Sequence, residues 1–340
     1  MGLLKVTGTL SLDQFWPQGS SDADTTKVLV GVTNRSFAFQ PHPGKAFRIT
    51  RVFRKAVVRG KSGSRPPIDK KDRITVRLQG IDAPELHYRA SPLGKRRATL
   101  TAAQIERFRK LNKEYRQHFG ETATVALKKL LSRARRVVIP CTVTTFVDSP
   151  NEVYDTYARF IGDIHVKIEG KTININRWLA QQGWAFPAFY NSMTRPEIEN
   201  LLKDSVAGRR KKNRLWKNLQ AYIGRFDFKL VFRGKGVNPD PRADAGPLIM
   251  PKLYRRLCTW SVYRKSRIEK VTYKKYIANP AYTCYITKDF LEQGVYSAPS
   301  HLLSDFLKPG GVFTVKPTEL VFKEEPSRLV GANGKTVNRW

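Results

Sequence analysis

Acidic residues are scarce in this chain, and cysteine and methionine are scarcer still. Of 340 residues only 28 are Asp or Glu, against 62 Lys and Arg, for a formal net charge of +34 and a pI near 10.3. An excess of this size attracts polyanions, with a pull that weakens as salt rises. Solubility alone needs far less charge. The expected partners are therefore DNA, RNA or an anionic membrane surface. The three cysteines, Cys141, Cys258 and Cys284, lie far apart. They offer neither a zinc spacing nor a disulfide framework. Cys141 sits in the apolar run Val137-Val138-Ile139-Pro140-Cys141-Thr142-Val143 and is expected as a buried packing residue. No run of about 18 apolar residues is present, so no membrane insertion is expected. The first residues, Met1-Gly2-Leu3-Leu4-Lys5-Val6, lack a signal segment and the Ser or Thr that myristoylation favours. A cytoplasmic setting is the expectation. There is no internal repeat and no long low-complexity segment.

What is present is enough for two folded domains. Hydrophobic residues make up 41% and aromatics 11% of the chain, which excludes a disordered protein. The first third reads as strands, over 4–12 and 27–32, with a hairpin or edge strand over 47–58 and a loop at Lys61-Ser62-Gly63-Ser64-Arg65-Pro66-Pro67. A further strand covers 74–81. Thr101 with Gln104 three residues later forms a capping-box signature for a helix reaching about 118, and a second helix is expected over 121–136. Strands follow over 137–146 and 159–168, with a hairpin turn at Glu169-Gly170-Lys171. A short helix over 175–182 closes on Gly183, and a longer one covers 196–216. Residues 237–247 hold three prolines and two aspartates, which suggests a linker or long loop.

The densest chemistry lies in Val76-Arg77-Leu78-Gln79-Gly80-Ile81-Asp82-Ala83-Pro84-Glu85. A strand carries one arginine and runs into a turn with two carboxylates. A metal-dependent phosphodiesterase needs hard oxygen ligands for its cation, a carboxylate to act on water and fixed cations beside the phosphate. Asp82 as ligand, Glu85 as base and Arg77 as clamp supply that set. Arg159, in Asp155-Thr156-Tyr157-Ala158-Arg159, is a candidate second clamp, since a guanidinium fork can bond two phosphate oxygens. A second ligand is sought in Asp22-Ala23-Asp24-Thr25, where Asp22 and Asp24 are both candidates. His87 reads as a bystander, because calcium prefers oxygen and the base is already present. Tyr157 and Trp184 are expected in barrel and helix packing.

Three blocks resemble the staphylococcal nuclease (thermonuclease-like) family. The first is the segment from Val76 to Glu85. The second is Asp155-Thr156-Tyr157-Ala158-Arg159 with Ile175-Asn176-Arg177-Trp178-Leu179-Ala180-Gln181-Gln182-Gly183-Trp184-Ala185. The third is the basic helix end Arg209-Arg210-Lys211-Lys212-Asn213-Arg214-Leu215-Trp216. The resemblance covers about residues 4–219. It implies an α+β fold with a five-stranded OB-type β-barrel and packed helices over 1–222, with insertions at about 33–72 and 87–119. It further implies a calcium-dependent endonuclease that hydrolyses DNA and RNA with little sequence preference and leaves 3′-phosphates; a different divalent cation would also suit. Arg77 and Arg159 would bind the scissile phosphate and Glu85 would act on the attacking water. Asp82, the Ala83 backbone carbonyl and Asp24 would hold the metal. Ala23 stands where the family turn has glycine.

Residues 223–340 carry no recognisable motif and are expected as a smaller, β-rich region. Tyr254-Arg255-Arg256, Trp260-Ser261-Val262-Tyr263-Arg264-Lys265 and Tyr273-Lys274-Lys275-Tyr276 interleave aromatics with cations. That composition suits single-stranded nucleic acid, a small core with solvated cations, or a surface for a protein partner. Arg209, Arg210, Lys211 and Lys212 are candidate nucleic-acid contacts. The alternative to an enzyme is a non-catalytic nucleic-acid-binding protein, or a nuclease docked to a partner through 223–340.

Overall fold

The computed structural model describes residues 1–31, 36–60, 63–324 and 327–340. Val32 at the end of an expected strand, the start of the first insertion, and Lys61 and Ser62 of the expected loop lie outside them. The chain forms two compact units. One comprises residues 1–81, 124–179 and 324–340, and the other 82–123 and 180–323. The expected boundary at 222 falls inside the second unit.

The first unit holds a closed five-stranded mixed β-barrel. Its strands are β1 (Gly2–Ser11), β2 (Thr25–Leu29), β3 (Arg73–Leu78), β4 (Val138–Val147) and β5 (Phe160–Ile168). β1 pairs antiparallel with β2 and β4, β4 with β5, and β2 with β3. The parallel pair β3–β5 closes the ring. Alternate residues of β4 and β5 face inward, so Val143, Phe160, Ile164 and Val166 meet Leu4, Val6 and Val76 in the barrel core. The period of two in the sequence specifies that register, because a one-residue slip would turn every apolar side chain outward. Cys141 belongs to this packing, and burial pushes its thiol up to about 12. Glu169 and Gly170 both take positive φ and join β5 to the strand Lys171–Asn174 in a tight hairpin. The segment expected as a hairpin or an edge strand over 47–58 holds the edge strand Phe47–Arg48, the short helix Thr50–Arg54 and the strand Val57–Gly60. The last strand of the chain, Arg328–Val330, pairs with Val57–Gly60, and Trp340 stacks on Phe39 at 4.2 Å between ring centroids.

The helices that matter here are α1 (Ala102–Leu111), α2 (Gly120–Ser132), α3 (Ile175–Gln181), α4 (Arg195–Arg209) and α5 (Pro251–Lys265). Thr101 caps α1 in the expected capping box, and Thr194 with Glu197 does the same for α4. Gly183 has φ +69° just past α3, as a helix-terminating glycine should. α1 stops at Leu111 rather than near 118. The following residues extend and exchange backbone bonds with other segments: Tyr88 and Tyr115 bond reciprocally at 2.7 and 2.8 Å, and Arg116 N donates to Leu230 O. α4 ends at Arg209, and Asn213 at φ +53° separates it from the short helix Leu215–Asn218.

The second unit is organised around α5. Leu253, Tyr254, Leu257, Cys258 and Val262 of that helix pack with Ala90, Leu93, Phe108 and Tyr115 from the expected second insertion, and with Leu303, Phe313 and Leu320. The insertion therefore shares a hydrophobic core with the C-terminal region. The strands of that region are short, Thr283–Ile286, Ser300–Leu302 and Leu320–Phe322, and its longest element is α5.

Candidate active site

Two groups of charged side chains contain the residues singled out in the sequence. The first lies in the barrel unit. Asp22 organises the turn before β2: its Oδ1 accepts from the backbone nitrogens of Asp24 (3.3 Å) and Thr25 (2.7 Å). Asp24 is thereby directed inward, 7% exposed, and forms an ion pair with Arg77, itself 8% exposed. Arg77 lies opposite Thr25 in the β2–β3 ladder and opposite Ile161 in the β3–β5 ladder. The backbone of Asp24 reinforces the contact, since its carbonyl accepts from Leu78 N at 2.8 Å.

Arg159 is aimed by Asp155. The buried Asp155 carboxylate accepts from the backbone nitrogens of Tyr157 and Arg159, both at 2.9 Å, and from Arg159 Nε at 2.7 Å and Nη2 at 2.6 Å. Ala158 takes φ +62° to complete this turn. The Thr25 hydroxyl donates to Asp24 Oδ1 at 3.1 Å and accepts from Arg159 Nη1 at 3.2 Å. One hydroxyl thus links Arg159 to the partner of Arg77. Tyr157 was expected in the barrel core. It is instead 54% exposed, with the Arg159 guanidinium 5.5 Å from its ring centroid. Trp184 is buried as expected, under the guanidinium of Arg214 at 4.0 Å.

Asn176, the second residue of α3, ties the barrel strands behind this group. Its amide nitrogen donates to Gln79 O (2.9 Å) and Asp163 Oδ1 (2.7 Å), and its oxygen accepts from Ile164 N. Burying this amide costs little because both its nitrogen and its oxygen are hydrogen-bonded. The residue falls in a quoted motif, but no role was assigned to it from sequence.

The second group lies in the other unit and centres on Asp82 and Glu85. The backbone of Glu85 is clamped by Gln117, which donates its N to Glu85 O (2.7 Å) and accepts from Glu85 N at its side-chain oxygen (3.1 Å). Ala83 is buried. A residue that sequence reasoning did not assign to the site completes the group: Arg255 of α5. Its Nη1 and Nη2 donate to Asp82 Oδ1 and Oδ2 at 3.0 and 2.9 Å, and Nη1 also pairs with Glu85. Burial works against the Arg255 charge, but the two carboxylates outweigh it and hold the guanidinium protonated. No sequence signal links position 255 to 82 and 85, because the pairing spans about 170 positions. His87 packs edge-on against Phe232. Arg209, Arg210, Lys211 and Lys212 are exposed at the end of α4. Arg209 is pinned by the Thr318 hydroxyl at 2.5 Å and lies 4.7 Å from the Trp216 ring centroid.

Asp24, Asp82 and Glu85 are hard oxygen donors of the type calcium takes. As folded they do not fit a resident calcium. Asp24 is engaged by Arg77, and Asp82 and Glu85 are engaged by Arg255. Among the described residues no group of three or more His, Cys, Asp or Glu side chains is placed to hold a metal ion.

Residues 75–218 match the family model of the staphylococcal nuclease homologue. Comparison with curated proteins gives no match. The matched span contains Arg77, Asp82, Glu85, Asp155 and Arg159, and it ends within the helix Leu215–Asn218.

Proposed function

We propose, for a chain whose residues 75–218 carry a staphylococcal nuclease homologue domain, that it acts on the phosphodiester backbone of DNA or RNA as a sequence-tolerant endonuclease. The observation that carries this reading is the coupling of Arg77 and Arg159 through Asp24, Thr25 and Asp155. Two guanidinium groups, one on β3 and one in the turn just before β5, each aligned by an aspartate, form a receptor for a phosphate with its non-bridging oxygens presented side by side. A phosphodiester entering this receptor exchanges with the carboxylates that now hold the arginines. The net charge of +34 favours a polyanion at every stage of approach.

Hydrolysis then requires water to attack phosphorus in line. The new O–P bond forms as the water proton passes to Glu85, and the P–O bond to the leaving nucleoside breaks with its oxygen protonated by solvent. Arg77 and Arg159 neutralise charge that grows on the phosphoryl oxygens, which is worth most in a site shielded from water. Glu85 takes the proton while Arg255 stays paired with its Oε1, a contact that lowers the basicity of the carboxylate. That contact favours a second reading, in which the chain binds nucleic acid without cleaving it.

One experiment separates the two. Single- and double-stranded DNA and RNA are incubated with the full chain in calcium, magnesium or chelator, and binding is followed in parallel by fluorescence polarisation. The hydrolase reading expects cleavage that falls by about 10²–10⁴-fold in Glu85→Gln, the usual cost of losing a general base. Binding without cleavage under every condition supports the second reading instead.

A further inference from the structure

The guanidinium of Arg255 lies where two acidic side chains of the candidate site converge. It spans Asp82 with two parallel bonds, 3.0 and 2.9 Å, and reaches Glu85 with the same Nη1. Asp82 is 3% exposed and Arg255 only 23% exposed at their side chains, so the pairing is largely shielded. Fork-on-carboxylate geometry in such surroundings is strong and directional.

Arg255 is also held in place from behind. It is the fifth residue of the fifteen-residue helix α5. Its neighbours Tyr254, Leu257 and Cys258 are all buried in the core of the unit. The Tyr254 hydroxyl donates to the Arg116 carbonyl at 2.8 Å. The adjacent Arg256 points elsewhere: it stands 3.9 Å from the Tyr282 ring centroid and donates to Lys252 O at 2.6 Å. A residue mounted on a packed helix is a permanent part of its site. A mobile loop would be needed for a latch, and α5 has none of that character.

We propose that Arg255 is the built-in cation of the Asp82–Glu85 pair, so that the folded chain takes no calcium or magnesium at these two carboxylates. A divalent ion entering there would have to leave a mostly buried guanidinium without its partners, a loss of the kind that makes broken buried ion pairs strongly unfavourable. The inference rests on the reading of Asp82 and Glu85 as site residues. It departs from the metal dependence that the family resemblance implies. Arg255 acts as a positioning residue: it fixes both carboxylates and supplies the positive charge beside them.

The test is calcium titration by isothermal calorimetry on the full chain, with Arg255→Gln, Arg255→Lys and the double variant Arg255→Gln/Asp82→Asn. The wild type is expected to give no Asp82-dependent site. Arg255→Gln is expected to gain one, with a Kd on the order of 10⁻⁴–10⁻³ M, as for weak oxygen-ligand sites, and the double variant to lose it. Thermal melts establish which variants fold. Should Arg255→Gln unfold, Arg255→Lys keeps a charge without the fork and is expected to gain a weaker site. Saturable calcium binding by the wild type that disappears in Asp82→Asn overturns the proposal. A folded Arg255→Gln that gains nothing overturns it as well. Absence of nuclease activity bears on the hydrolase reading and leaves these isotherms unchanged.

Discussion

Asp244 accepts hydrogen bonds from both the backbone nitrogen and the hydroxyl of Thr122, at 2.8 and 2.6 Å, across 122 positions of sequence. It thereby satisfies an amide in the first turn of α2, where a helix has no partners of its own. The other oxygen of the same carboxylate pairs with Arg116 at 2.6 Å. Both partners of that ion pair are almost fully buried. Asp244→Ala is expected to destabilise the second unit by about 3–5 kcal/mol, because it removes the nearer carboxylate from a buried guanidinium and leaves Glu121 at 3.6 Å as its remaining ion-pair partner among the described residues. The double change Asp244→Ala with Arg116→Met is expected to cost less than Asp244→Ala alone. Urea denaturation followed by tryptophan fluorescence measures both.

Arg159→Lys probes the phosphate receptor. Lysine keeps the charge but cannot reproduce the Nε and Nη2 bonds to Asp155. Cleavage is expected to fall by about 10²–10³-fold, as when one preorganised donor is removed from a charged transition state. Overall affinity for DNA, dominated by the remaining cations, should change far less. Retention of full activity in Arg159→Lys would remove this residue from the receptor.

His165 gives the barrel a pH dependence. Its ring is partly buried in β5, with Nε2 3.0 Å from the Thr144 hydroxyl, and burial holds its pKa below 6.5. The unfolded chain therefore binds the proton more readily than the folded one, and stability rises with pH across that window. The contribution is full above pH 6.5 and is lost as pH falls through the depressed folded value. Denaturant midpoints between pH 7.5 and 5 are expected to fall for the wild type. They should fall less for His165→Gln, which has no proton to gain.

What was legible in the sequence was local. The period of two in 138–147 and 160–168, the capping box at Thr101 and the glycine at 183 each act within a few residues, so each appears as a short pattern. The run from Arg77 to Glu85 belongs to the same class. Extended pairing of Tyr88 with Tyr115 overrode helix propensity and ended α1 early. α5 escaped notice because apolar and cationic residues alternate around it; nine of its fifteen residues are buried, so no single polar face marks it. Arg255, Asp244 and Gln117 act on partners 32 to 173 positions away. No spacing rule encodes contacts of that kind; only the tertiary fold creates them.

The pairing of Arg328–Val330 with Val57–Gly60 and the seat of Trp340 on Phe39 have a consequence for biosynthesis. The barrel-bearing unit takes its last pieces from the end of the chain, after residues 180–323 have been made. At translation rates of about 5–20 residues per second, the ribosome needs on the order of 10 s for that stretch. Throughout that interval Val57–Gly60 has, among the described residues, its hairpin neighbour Gly63–Arg65 as sole strand partner, and the edge that Arg328–Val330 covers is bare. A bare strand edge of this kind is a template for pairing with other chains until residues 328–330 cover it.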